Sequence, residues 1–518
     1  MLRYFLKQSN EASQLVNSLN DACPNSFSMF VAFAPICMLF HTSTFLVFFL
    51  TVFALHWWVL KREVKWQNAL LLASSYFFYG CWDWRFVALL VFSTLLDFIT
   101  GIKIGDSKSE RACKIWLWTS VGINVGLLGV FKYYDFFALS FAEAVGHFGW
   151  KVDVVTLQLI LPVGISFYTF HGLSYVLDIY HRRIEPDRNL VDYALFVSYF
   201  PLLVAGPIER ATHLLPQLKR ARQFNSAQAV EGLRIFLWGL VKKVLIADNC
   251  GIIADAIYAD PTQWNAPTLW LGVAMFTIQV YGDFSGYSDM AQGVSRIFGI
   301  ELIRNFNYPY FATSIAEYWK RWHLSLTGWF RDYVYFPLGG SRGSKWKQAR
   351  NIFIIFLLSG FWHGANWNYV GWGFVNACYF IPGIIRGKRE VWYQKYLTNG
   401  LLGRVLELAL IVSTFIQIML SLVVFRNTSI SNMLVYMRNM FVGAWESIPG
   451  EKLIGFNKTI LLVGFFFLVE WFSRHKEHPF AQLHDKFSRP IRWVIYYIVL
   501  ILLAWFAGHQ QQFIYFQF

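Results

Sequence analysis

His363 stands in Phe361-Trp362-His363-Gly364-Ala365-Asn366-Trp367, inside a run from Ile352 to Ile385 that contains no Asp, Glu, Lys or Arg. A titratable side chain in a segment apolar enough to enter a bilayer is costly to place and marks a functional site. An imidazole there either hydrogen-bonds between helices or serves substrate or proton chemistry. About forty positions upstream is a second histidine, His323, in Glu317-Tyr318-Trp319-Lys320-Arg321-Trp322-His323-Leu324-Ser325-Leu326. Trp319, Trp322 and Leu326 recur at i, i+3 and i+7, so the spacing predicts an amphipathic helix over 314–335, lying near a membrane interface with its aromatics on one face. The plain alternative makes those aromatics an interfacial belt and His323 a polar-face residue.

The elements that must hold these residues are membrane-spanning. Apolar residues are 56% of the chain, aromatics 19% and charged residues 15%, and mean hydropathy is +0.40, against about a quarter charged residues in a soluble protein. Apolar segments recur from about Thr44 to Gly508 without a gap long enough for a soluble domain, so residues 38–518 read as one polytopic all-α domain. Residues 1–37 read as an extension that function does not need. Spans are expected near 44–60, 67–84, 86–103, 114–132, 156–178, 229–247, 268–290, 403–425, 458–473 and 491–508, giving about 10–12 transmembrane helices in all. The basic stretches near 61–65, 103–114, 181–183, 210–222, 342–350, 386–389 and 474–492 belong on the cytoplasmic side, and Asp248 to Asp260, with three Asp and no Lys or Arg, belongs outside.

That assignment leaves two segments with basic flanks at both ends: Leu190–Gly206, broken by Pro201, Gly206 and Pro207, and Ile352–Ile385. Each must enter and leave on one side. Irregular backbone at membrane depth survives only where protein or a wet cavity surrounds it, so both are expected to be re-entrant elements around an internal chamber, with His363 near the deep end of one. The net charge of +14 follows the same loop clusters and does not point to nucleic acid, and the six cysteines show no metal-ligand spacing. His475, His478 and His484, separated by Pro479 in a basic loop, make a poor metal site.

The stretches YGDFSGYSDMA (281–291), RNFNYPY (304–310), EYWKRWHLSLTGWFRDYVYFPLGG (317–340) and LSGFWHGANWNYVGWG (358–373), with LPVGISFYTFHGLSYVLDIY and FPLLVAGPIER upstream, closely resemble the membrane-bound O-acyltransferase family, in its bacterial branch of alginate and cell-surface polysaccharide O-acetyltransferases. The resemblance runs from about Met38 to the C-terminus and is strongest over 156–375. It implies transfer of an acyl group from a thioester to a hydroxyl by a histidine pair, His363 as the buried histidine and His323 as that of the RWH motif. A neutral imidazole can take the proton of an attacking alcohol. Asn366, the indole N–H of Trp362 or Trp367, or backbone N–H groups near Gly364 are candidate oxyanion donors. Arg321 and Arg331, with Lys320 and Arg342, are candidate contacts for the phosphates of acetyl-CoA, the expected donor substrate. No bound cofactor or metal is expected. Asn307, Asp283 and Asp289 either support the site or form buried pairs with Lys or Arg. The implied setting is the bacterial inner membrane, with an exported polysaccharide as acceptor, reached directly or through a separate periplasmic or secreted acetyltransferase. A multi-pass transporter and a haem-binding oxidoreductase with His323 and His363 as axial ligands are the competing readings.

Overall fold

A computed structural model describes residues 38–60, 63–386, 400–506, 511 and 513–514. The extension expected at 1–37 lies outside the described residues. Among those described, all regular structure is helical: α1 (Ser43–Val59), α2 (Val64–Asp83), α3 (Arg85–Asp106), α4 (Glu110–Gly146), α5 (Ile165–Tyr180), α6 (Leu190–Ser198), α7 (Ala211–Lys219), α8 (226–259) and α9 (Ala266–Ile297). They are followed by α10 (Ile315–Trp319), α11 (Leu324–Phe330), α12 (Lys345–His363), α13 (Trp367–Arg386), α14 (Leu401–Arg426), α15 (Ile430–Val442), α16 (Phe456–Ser473) and α17 (Arg489–Phe506). Helices suit a bilayer because they satisfy their own backbone groups. Their free N-termini are capped by side chains: Thr42 accepts from Phe45 N–H, Asn225 from Ala227 and Gln228, Asn265 from Thr268 and Ser344 from Lys347.

By length and hydropathy, five helices among the described residues suffice to cross a membrane: α3, α4, α14, α16 and α17. The protein is a multi-pass, all-α membrane protein. The other expected spans are helical as well: α1 is apolar but short, and in others polar side chains lower the hydropathy and point inward, as in α2, which buries Gln67, Asn68, Ser74 and Ser75. One expectation needs correction. The span expected at 156–178 becomes helical only at Ile165, because residues 151–162 form no regular structure. Pro162 disfavours the helical conformation in the residue before it, and Gly164 then turns the chain at φ +74°, where a Cβ would overlap the carbonyl oxygen of Leu203. Asp135 of α4 holds this irregular segment by accepting the N–H groups of Leu157 and Gln158 at 2.7 and 2.9 Å.

The centre of the molecule is α9, buried along nearly its whole length and lying antiparallel to α8. Two glycine pairs set their distance. Gly239 faces Gly286 and Gly232 faces Gly293, so that a Cβ on Gly239 would stand 2.6 Å from the oxygen of Gly286. Small residues at such spacing let membrane helices touch backbone to backbone. The close approach brings buried charges together: Lys242 pairs with Asp289 at 2.7 Å, and Lys243 with Asp283 at 2.8 Å and Asp248 at 2.9 Å. Asp283 also accepts the N–H of Ile514 at 2.7 Å, and Lys243 donates to the oxygen of Gln511 at 3.1 Å, which ties the C-terminal residues to the core. Of the two roles open to Asp283 and Asp289, the structure contains the buried pairing.

Both segments with basic flanks double back. In Leu190–Gly206, α6 ends at Ser198, a single turn follows at Phe200–Leu203, and residues 192–206 are all buried. In Ile352–Ile385, α12 and α13 form an antiparallel hairpin turning at Gly364–Asn366. Gly360 and Gly373 seat the two helices on each other, since a Cβ on Gly373 would overlap the carbonyl oxygen of Phe356 and one on Gly360 that of Tyr369. At the open end Lys345 Nζ donates to the oxygen of Ile385 at 2.6 Å, so both ends of the hairpin lie together. Replacing Gly239 or Gly286 by leucine is expected to destabilise the α8–α9 pair by at least the roughly 1–3 kcal/mol of an overpacked core. The check is the thermal unfolding midpoint of the detergent-purified protein, which should fall well below wild type, whereas Gly383→Leu, at a glycine with nothing within 4 Å, should leave it unchanged.

Candidate active site

His363 is the last residue of α12 and therefore sits at the turn of the hairpin. The end of a helix leaves carbonyls without helical partners. Here α4 supplies them: Lys132 Nζ donates to the oxygens of Trp362 at 2.6 Å and His363 at 3.2 Å, and Tyr133 Oη donates to that of Phe361 at 2.8 Å while its ring stacks on Phe361 at 4.1 Å. A cation at a helix C-terminus also opposes the helix dipole. Lys132 and Tyr133 lie in a π-turn, Gly129–Tyr133, within the otherwise α-helical α4, a local widening frequent at functional sites. Sequence reading missed Lys132. Its signal was present, as a lysine within an expected span.

The imidazole of His363 packs edge-on against Trp372 (5.1 Å between ring centroids), Phe425 (5.3 Å) and Trp362 (5.0 Å) and is half-buried. Trp362 is 4% exposed and also packs against His323, at 6.2 Å. The two histidines, forty residues apart in sequence, thus share one indole.

The continuous helix expected over 314–335 is broken where His323 stands. α10 ends at Trp319, and α11 starts at Leu324. His323 takes φ +44°, a left-handed conformation that an L-residue other than Gly, Asn or Asp seldom adopts. Its ring is 2% exposed, enclosed by Phe284 (4.6 Å), Phe306 (6.2 Å) and Trp362. The aromatics of the motif line this interior, with Trp322 and Leu326 buried, rather than forming a lipid-facing belt. The physical reason is tertiary. The loop 300–307 pairs with the break through Asn307 N–H to the oxygen of Arg321 and Leu324 N–H to the oxygen of Asn305, each 2.9 Å, and those bonds replace the helical ones.

The remaining residues singled out in the sequence are placed as follows. Asn307 contributes the backbone bond just given. Asn366 is engaged at both ends of its amide: its nitrogen donates to the oxygen of Thr428 at 3.1 Å and its oxygen accepts from Asn368 N–H at 2.9 Å. It therefore builds the turn beside His363. The indole of Trp367 donates to Ser140 at 3.3 Å. Arg321 pairs with Glu317, and Arg331 with Asp332 at 2.8 Å, a carboxylate shared with Arg210. Asn351 of α12 donates to the oxygens of Leu338 and Gly340. The basic stretch at 331–350 accordingly lies at the open end of the hairpin, opposite its tip. At the tip, a cleft of about 630 Å³ is lined by Lys132, Asp135, Ser140, Glu143, Asn366 and Trp367 among others. The turn that follows His363 therefore borders a cleft containing charged side chains, and the far end of its helix is flanked by cationic ones.

A known family accounts for this arrangement. Residues 181–425 match the model of MBOAT, the membrane-bound O-acyltransferase family, a span that holds both histidines. Over 431 residues the chain is 38% identical to a probable alginate O-acetylase, AlgI, of Pseudomonas aeruginosa, covering 82% of this chain and 79% of the relative. The chain belongs to the membrane-bound O-acyltransferase family. It is also 36% identical to a peptidoglycan O-acetyltransferase of Helicobacter pylori, over 66% of this chain and 69% of that one. With a teichoic acid D-alanyltransferase of Bacillus subtilis it shares 31% identity over 46% of this chain and 62% of that one. The protein is an O-acyltransferase, which replaces the transporter and haem readings.

Because Lys132 closes the end of α12, Lys132→Met is expected to loosen the tip. Amide hydrogen exchange over 360–368 should rise while the rest of the molecule stays protected, and acyl transfer should fall because His363 loses its fixed position. Unaltered exchange at the tip would show that Lys132 does not hold it.

Proposed function

We propose that this enzyme moves an acetyl group from cytoplasmic acetyl-CoA to a hydroxyl of an exported polysaccharide, or to an exported relay protein that completes the transfer, in the inner membrane of a bacterium. The observation that carries the reading is the pair of histidines that pack against one indole, Trp362, with His363 at the tip of a hairpin whose open end is basic and whose tip borders a cleft holding Lys132, Asp135 and Glu143. The relatives named as O-acetylases of alginate and peptidoglycan supply the acetyl group and the glycan acceptor.

In this scheme the acceptor hydroxyl attacks the thioester carbonyl as His363, the more accessible histidine, takes its proton. The carbonyl oxygen gains negative charge, and the Lys132 ammonium, 3.2 Å from the backbone oxygen of His363, is the nearest cation described at the tip. Collapse of the tetrahedral species breaks the carbon–sulfur bond, and the thiolate of CoA takes the proton back from His363. His323, in contact with the same indole, orients the reacting groups. Arg321, Arg331 and Arg342 are assigned to the donor's phosphates because acetyl-CoA is anionic and cannot cross the bilayer. From Arg350 to His363 the helix rises about 20 Å, so acyl group and acceptor meet deep in the membrane.

His363→Ala is expected to lower acetyl transfer by about 10²- to 10⁴-fold with normal insertion and melting behaviour, and His323→Ala to be severely impaired as well. Product formation at the wild-type rate by purified His363→Ala protein would remove it as the base. Single cysteines at Ser344 and Gln263, in a background without the native cysteines, should be labelled by a membrane-impermeant reagent from the cytoplasmic and the outer side respectively. Labelling of both from one side would defeat the two-sided scheme.

A further inference from the structure

The ring of His323 meets two polar side chains, Asn305 and Ser325. His323 Nδ1 lies 3.2 Å from Asn305 Oδ1. The same oxygen faces the backbone N–H of Ser325 at 3.2 Å and the hydroxyl of Ser325 at 2.9 Å. A backbone N–H can only donate, so the atom it meets must be the amide oxygen, and the amide nitrogen must point the other way, where it donates to Ser288 Oγ at 3.2 Å. The orientation of Asn305 is therefore determined by its neighbours, and an amide oxygen accepts only. His323 Nδ1 must carry the hydrogen. The Ser325 hydroxyl lies 3.4 Å from Nδ1 but gives its hydrogen to Asn305 Oδ1 over the shorter distance. In a neutral imidazole with Nδ1 protonated, Nε2 is a bare lone pair, and among the described residues His323 Nε2 is buried without a hydrogen-bond partner.

We infer that Asn305 is a positioning residue for acyl transfer: it fixes His323 as the Nδ1–H tautomer and so presents Nε2 to the reacting groups as a hydrogen-bond acceptor. A buried acceptor left without a partner is unfavourable, and a substrate hydroxyl would supply the missing hydrogen. The left-handed turn at His323 serves the same end, because Leu324 N–H bonds the backbone oxygen of Asn305 at 2.9 Å while the side chains of the two residues meet. Asn305 reaches His323 from a loop that is itself anchored, with Glu209 Oε1 accepting Ile303 N–H at 2.6 Å and Gln217 Oε1 accepting Glu301 N–H at 2.9 Å. The kinetic part of this inference rests on the proposed role of His323, whereas the tautomer does not.

The experiment compares Asn305→Leu, Asn305→Asp and His323→Ala in the full-length purified protein, labelled with ¹⁵N in the histidine rings. With the His323 signals assigned by their loss in His323→Ala, wild type should show a protonated Nδ1 and a bare Nε2, and Asn305→Leu a mixture of tautomers. Asn305→Leu should lose kcat on the order of 10²-fold, the low end of a positioned acid–base contribution, with little change in KM, and should lose nothing further in a His323→Ala background. Asn305→Asp keeps the acceptor and should rescue most of the rate. Its added negative charge favours the imidazolium, so the bare Nε2 is lost at a higher pH and the acid limb of the pH–rate profile should move up. An unchanged nitrogen spectrum in Asn305→Leu, beside an inactive His323→Ala, would overturn the assignment of Asn305 alone. Wild-type turnover by His323→Ala would remove His323 from the reaction, and the kinetic role of Asn305 with it.

Discussion

A polar group inside a bilayer must find its partner within the protein, and this requirement organises the molecule. The carbonyls at the end of α12 have no helical partners, and Lys132 and Tyr133 of a different helix satisfy them. The break at His323 exposes backbone groups that the loop 300–307 takes up. The charges along α8 and α9 stand in pairs, and breaking a buried pair by removing one partner is strongly destabilising. Each polar site in the interior therefore holds together segments distant in sequence, and the chemistry sits where several such ties converge.

Glycine brings backbones together in the scaffold, and aromatic rings surround the two histidines. Gly232, Gly239, Gly286 and Gly293 fasten α8 to α9, and Gly360 and Gly373 close the hairpin. Around the histidines the packing is instead aromatic, with Phe284, Phe306, Trp362, Trp372 and Phe425 about the two rings. Flat, stiff side chains position an imidazole with little loss of conformational entropy. Trp362 touches both rings and is the shared wall of the site.

In the proposed scheme the donor stays on one side of the membrane and the acceptor on the other. A hairpin fits that division geometrically. Its open end lies among the cationic side chains of 331–350, its tip borders the cleft between α4, α13 and Thr428, and His363 stands at the tip. Ending the helix at His363 places the turn that follows it, residues 365–368, against the cleft.

Composition and charge placement by themselves determined that the chain is a multi-pass helical membrane protein, because apolar content and basic loop clusters act locally, element by element. The parity of those clusters also exposed the two doubled-back segments, and the motifs identified the family and both histidines. Tertiary structure decided the rest. Helical periodicity over 314–335 predicted one continuous helix, yet the bonds to Asn305 and Asn307 come from a separate loop and break it at His323. Asn307 drew notice within its motif while Asn305, two residues earlier, is the one that meets His323, since register within an irregular loop has no period to read. Lys132 was legible as a charge within a span, but its partner lies some 230 residues away in sequence, and only the folded chain brings the two together.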